Sequence, residues 1–161
     1  MVTVTHDLEA CDRRIDDLES CERRVEARAA FTPGDDYRQV VDLVLAAAAV
    51  LDPPVPRLRL DDLRLAVTEA CSNAVKVHRP DALGDPIVVS CQIDDTCVHV
   101  EVRDRGPGFD PTERDPLPEP EDPERLRHEH GLGVELMTLL ADHVTFRPEE
   151  DGTVVVLCVR R

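Results

Sequence analysis

Two pairs of alternating apolar runs constrain this chain more than any other feature in it. Residues 87–93, IVVSCQI, and 96–102, TCVHVEV, are separated only by Asp94-Asp95. An apolar residue at every second position turns one face of a strand toward a core, and two intervening residues is β-hairpin spacing. A second pair closes the sequence: HVTFR from 143, a PEEDG turn, then TVVVLCV to 159, a run apolar enough for a central strand. Upstream, RRVEARAAF (23–31) sets Val25, Ala27, Ala29 and Phe31 among charged residues, which predicts an edge strand, and Pro33-Gly34 turns the chain after it.

Strands paired this way need cover, and helical periodicity supplies it. Tyr37, Val40, Val41, Val44, Leu45 and Ala48 predict a helix over 35–51, broken by the DPPVP of 52–56. Over 60–78, Leu60, Leu63, Val67, Ala70, Ala74 and Val77 form one apolar face, with Asp61 and Asp62 at its expected start and Pro80 past its end. A third helix is expected over 131–142. The order β-α-α-β-β-loop-α-β-β predicts an α+β two-layer sandwich: a mixed, mostly antiparallel sheet with helices on one face. It lacks the βαβ alternation of a doubly wound nucleotide fold.

One domain is expected from 161 residues. Residues 1–22 are a charged arm in which Leu8, Cys11, Ile15 and Leu18 follow a helical seam; it is either a dimerising or partner-binding arm or a loose extension, and the domain proper covers 23–161. A net charge of −15 and an aromatic content of 2% offer nucleic acid neither a phosphate-tracking surface nor stacking platforms. The six cysteines show no C-x-x-C and no zinc spacing, and most fall where small buried thiols do. There is no signal peptide, and VLAAAAVL (44–51) is too short to span a bilayer, so a reduced, cytoplasmic protein is expected. His99 is expected to point out of its strand, with no partner that would make it catalytic.

Three polar or glycine-bearing sites occur in order. Glu69 and Asn73, four apart on the 60–78 helix, project side by side, as a base next to a hard-cation ligand or as a solvated polar pair. Asp104-x-Gly106-x-Gly108 follows a strand, and Gly131-Leu132-Gly133 opens a helix. Between them the proline-rich stretch 110–130 is too long for an ordinary loop and is expected to be a lid. Together these sites describe a nucleotide site. Asp104 accepts from the exocyclic amine of adenine, Gly106 and Gly108 admit the base and ribose, and Gly131 and Gly133 free backbone N–H groups for phosphate. Asn73 then offers an oxygen to Mg²⁺, and Glu69 takes a proton from an attacking hydroxyl.

The chain resembles the GHKL ATPase superfamily with its Bergerat ATP-binding fold, and within it the bacterial anti-sigma factor serine kinases. The residues that carry the resemblance are LRLAVTEACSNAV (63–75), DRGPGF (104–109) and HGLGVELMTLLADHV (130–144). The resemblance implies that Thr153 supports the adenine-binding Asp104. It implies ATP and Mg²⁺ as cofactors and phosphorylation of a serine or threonine on an anti-sigma antagonist. It further implies binding of a sigma factor by a homodimer. The sequence departs from the family pattern at Val77, where many relatives carry histidine, and at His130, where they carry Arg or Ser. His128 and His130 are either phosphate-side donors or solvated lid residues. A non-catalytic, ATP-gated module that sequesters a regulator is the alternative reading. A sensor histidine kinase is disfavoured, because the first 60 residues hold no phospho-accepting histidine helix.

Overall fold

The computed structural model describes residues 3–8, 21–51, 54–78, 84–107 and 132–161. One sheet carries the strands β1 (Thr3–Leu8), β2 (Cys21–Phe31), β3 (Ile87–Ile93), β4 (Cys97–Arg103), β5 (His143–Glu149) and β6 (Gly152–Arg160), in the order β1-β2-β3-β4-β6-β5. Every pairing among the described residues is antiparallel. Helices α1 (Arg38–Ala49), α2 (Arg57–Val77) and α3 (Leu132–Leu140) lie against one face, α2 between its neighbours and over β4 and β6. The expected two-layer α+β architecture is thus observed, with β6 flanked on both sides as a central strand.

Strand register explains the core. Val25, Ile93, Val98 and Val159 stand opposite one another in a row across the sheet. Ala27, Cys91, Val100, Leu157 and Val144 form the next row, and Ala29, Val89, Val102, Val155 and Phe146 the third. These rows meet Val40, Val44 and Ala48 of α1, Leu63, Val67, Ala70 and Ala74 of α2, and Met137 of α3 in one apolar cluster. Small residues on α2 let it lie close to the sheet, and burial pushes the thiols of Cys71 and Cys91 up to about 12. Tyr37 stacks at a tilt on Phe31, ring centroids 5.9 Å apart, and fixes the entry to α1.

Several local expectations are corrected. Helix α2 starts three residues earlier than expected, with Pro56 at its N-cap position, so Asp61 and Asp62 lie inside the helix rather than capping it. Proline fits there because its ring presets the backbone angle the first turn needs. Asp62 instead pairs with Arg59 at 2.9 Å, and Arg59 also pairs with Asp142 and donates to the carbonyls of Arg160 and Leu140. Val77 is 36% exposed rather than in the apolar face. At the start of the chain Thr3–Leu8 is a strand paired with β2, not the beginning of a helix; Thr3, Val4 and Thr5 are β-branched and favour it. The rest of the expected arm helix, with Cys11, Ile15 and Leu18, lies outside the described residues.

The β3–β4 connection runs over three residues rather than two. Asp94 Oδ1 accepts from Thr96 N, Thr96 Oγ1 and Cys97 N at 2.7, 2.8 and 2.9 Å, so a side-chain carboxylate rather than a left-handed glycine holds this turn. His99 does have a partner: Nε2 lies 3.6 Å from Asp94 Oδ2. No helix among the described residues is long and apolar enough to cross a membrane.

Candidate functional site

Helix α2 forms the spine of the site. Glu69 and Asn73 leave it one turn apart, half-buried, on the side where α3 packs. Gly133, in the first turn of α3, meets both: a Cβ placed there would lie 2.8 Å from Glu69 Oε2 and 3.2 Å from Asn73 Nδ2. The glycine is what allows the start of α3 and the polar pair to share one space. Helix N-termini present unpaired backbone N–H groups, so an anion-binding end is brought against a carboxylate and an amide.

The second glycine sits one turn further along α2. A Cβ on Gly106 would stand 2.8 Å from the Val77 carbonyl and 3.0 Å from Val77 Cγ2, and 2.8 Å from Asp104 Oδ1. Gly106 N donates to Asp104 Oδ1 at 2.6 Å, turning the chain back over the carboxylate as β4 ends. Asp104 itself is 4% exposed. Burial raises its carboxyl above the usual range, against the opposing pull of the Gly106 and Thr153 backbone and the charge of nearby His78. A buried, partly satisfied carboxylate is an acceptor held ready for a donor.

Strand β6 supplies the other wall. Asp104 N donates to the Thr153 carbonyl at 3.0 Å, one rung beyond the last β4–β6 pair, Arg103 with Val154. Thr153 is 2% exposed, and its Oγ1 is buried with no hydrogen-bond partner among the described residues. Such a hydroxyl costs stability unless something fills its valence. Gly152, missed by the sequence reading as a functional position, makes this approach possible. Its φ is +154°, and a Cβ would fall 2.0 Å from the Asp104 carbonyl oxygen. The D-G of the hairpin turn is a signal for such a conformation; the contact with Asp104 has no local signature.

Two groups therefore follow one another along α2: Gly133 with Glu69 and Asn73, and one turn further on Gly106 with Asp104, which is joined to Thr153. Leu132 opens α3. Gly108, Gly131, His128, His130 and the expected lid at 110–130 lie outside the described residues. The donor set fits an adenine nucleotide. It has a buried acceptor with an orphaned hydroxyl for the base, two glycines whose missing Cβ atoms leave room, and a helix N-terminus for phosphate. Asn73 adds a neutral oxygen suited to Mg²⁺.

A sequence profile of the histidine kinase-like ATPase domain matches residues 34–159. The serine-protein kinase RsbW of Bacillus licheniformis is 32% identical over 99 residues, 59% of this chain and 61% of that protein. The anti-sigma F factor of Clostridium acetobutylicum is 30% identical over 118 residues, 71% of this chain and 78% of the relative. The chain thus spans less than two thirds of the length of the Bacillus kinase it matches.

Proposed function

This chain belongs to the histidine kinase-like ATPase domain family, and on that premise we propose that it is a bacterial anti-sigma factor that phosphorylates a serine or threonine of an anti-sigma antagonist at the expense of ATP. The resemblance to bacterial anti-sigma serine kinases holds in the relatives it matches, one named a serine-protein kinase and the other an anti-sigma factor. The observation that carries the reading is Gly133 lodged against Glu69 and Asn73, which brings a helix N-terminus, a carboxylate and an amide oxygen together.

Each residue has a role in this reading. Asp104 accepts from the adenine amine, and Thr153 supports it through its backbone carbonyl while its buried hydroxyl is open to hydrogen-bond the base edge. Gly106 and Gly108 admit base and ribose, and Gly131, Leu132 and Gly133 offer backbone donors to the phosphates. Asn73 supplies a ligand to Mg²⁺. ATP supplies the phosphoryl group, and catalysis by the protein is chiefly positioning. Glu69 accepts the proton of the substrate hydroxyl as it attacks. From Glu69 to Val77 is about 12 Å of helix axis, enough for a nucleoside triphosphate lying along it. The partners are a sigma factor and its antagonist; the protein acts as a homodimer in the cytoplasm, with 110–130 as its lid.

Incubating the protein with ATP, Mg²⁺ and a panel of antagonist proteins tests the assignment. Glu69→Gln is expected to bind ATP normally and to transfer phosphate about 10²–10⁴-fold more slowly. Transfer at the wild-type rate by that variant would overturn the base assignment. ATP-dependent capture of a partner with no phosphoprotein formed would mark a nucleotide-gated binder instead.

A further inference from the structure

At the end of β4 and β6 remote from the candidate site, on the face turned away from the helices, three metal-binding side chains converge. Cys97 and His99 alternate along β4, and Cys158 of β6 stands directly opposite His99. Their ligand atoms all lie within 4.8 Å of one another. Both thiols are buried, whereas the His99 side chain is 17% exposed, so the cluster is covered yet reachable from solvent.

The surroundings set the imidazole. Three hydrogen bonds to Oδ1 lock Asp94 in its turn, leaving Oδ2 to face His99 Nε2. Arg161 donates to the Asp94 main-chain carbonyl at 2.9 Å. The ring also makes a hydrogen bond with Cys97, and with Nε2 toward the carboxylate a metal would be ligated through Nδ1. A carboxylate behind a ligating histidine is the arrangement that fixes ring orientation in zinc sites.

We propose that Cys97, His99 and Cys158 form a zinc-binding site, two thiolates and one imidazole, oriented by Asp94 and separate from the candidate nucleotide site. Two sulfurs and a nitrogen select a borderline-soft divalent ion over Mg²⁺ or Ca²⁺. Zinc–ligand bonds of about 2.0–2.3 Å place tetrahedral neighbours roughly 3.3–3.8 Å apart, so the present separations close by about 1 Å, within reach of side-chain rotation. Water takes the fourth corner, and His143 stands across from Cys158 on β5. Ligation exchanges the thiol protons, and any proton on Nδ1, for the metal; they pass to water and no electron moves. His99 is five residues from Asp104, about 17 Å along the strand, so the ion clips β4 to β6 and takes no part in phosphoryl transfer.

Cobalt and zinc titrations of the chelator-stripped full chain provide the test. Co²⁺ is expected to give a thiolate charge-transfer band and tetrahedral visible absorption at one equivalent, both bleached by Zn²⁺. Cys97→Ser and Cys158→Ser should lose the band, while Cys71→Ser, a thiol buried in the core, should keep it. Asp94→Asn should weaken zinc binding by about 10–100-fold. If a cysteine variant fails to bind ATP, and so is misfolded, His99→Gln decides, since it leaves both thiols in place and is expected to cost at least tenfold in zinc affinity. A thiolate band that survives in Cys97→Ser and Cys158→Ser, no band in the wild type, or unchanged affinity in His99→Gln overturns the site.

Discussion

At the scale of single residues, the site depends on side chains that are absent. Gly133 leaves the volume in which Glu69 and Asn73 sit, and a methyl group there would press on Glu69 Oε2 at 2.8 Å. Gly133→Ala separates fold from chemistry. Alanine favours a helix by about 1 kcal/mol over glycine, so the melting temperature should hold or rise. Phosphotransfer should nonetheless fall by about 10²-fold, because a base displaced by about 1 Å loses its alignment. A steady-state kcat alongside a thermal melt reads both. Gly152 acts in the same way toward the Asp104 backbone, where the positive φ adds a second reason for glycine. The sequence pointed to Glu69 and Asn73 because four-residue spacing on a periodic helix is a local property. It could not point to Gly152, whose importance lies in a strand distant in the chain.

Among the elements, α2 is held by a bracket. Arg59 near its start pairs with Asp62 and Asp142 and reaches the carbonyls of Arg160 and Leu140, and Asp142 Oδ2 also accepts from Arg160 N at 2.8 Å. One guanidinium thus joins α2, the end of α3 and the end of β6. Arg59→Ala is expected to cost about 1–3 kcal/mol, seen as a lower urea midpoint at unchanged slope, whereas Asp62→Ala should cost less than about 1 kcal/mol because it removes one half-buried partner of several. Strands and helices were legible because hydrophobic alternation and three-to-four periodicity report which face is buried. Their neighbours were less so. Cys97 and Cys158 meet through the β4–β6 register, which no spacing encodes, and Asp94 partners His99 because the hairpin turn folds its carboxylate back over the strand. The start of α2 was misplaced because Asp61 and Asp62 look like caps, while Pro56 already opens the helix.

For the whole molecule, the candidate site is paid for in stability. Asp104 is buried with a raised pKa, so its ionised form is disfavoured in the fold relative to the unfolded chain. Its contribution is fully present below the ordinary carboxylate range and is lost as pH rises through the higher folded value. Asp104→Asn is therefore expected to melt above wild type at neutral pH, by a margin that shrinks to nothing in acid. The same variant should lose ATP binding, followed as the loss of the ATP-induced rise in melting temperature. Wild-type affinity for ATP should itself weaken as acid protonates the carboxylate.

The Asp104–Thr153 rung carries a further consequence. The Asp104–Thr153 end of the candidate site continues the ladder between two interior strands, whereas the Glu69–Asn73 end is formed where one helix leans on another. Displacing the first breaks the last rung of a ladder anchored between two interior strands; displacing the second requires only that α3 tilt away from α2. With a nucleotide bound as proposed, exchange should then begin with the phosphates loosening while the base stays seated.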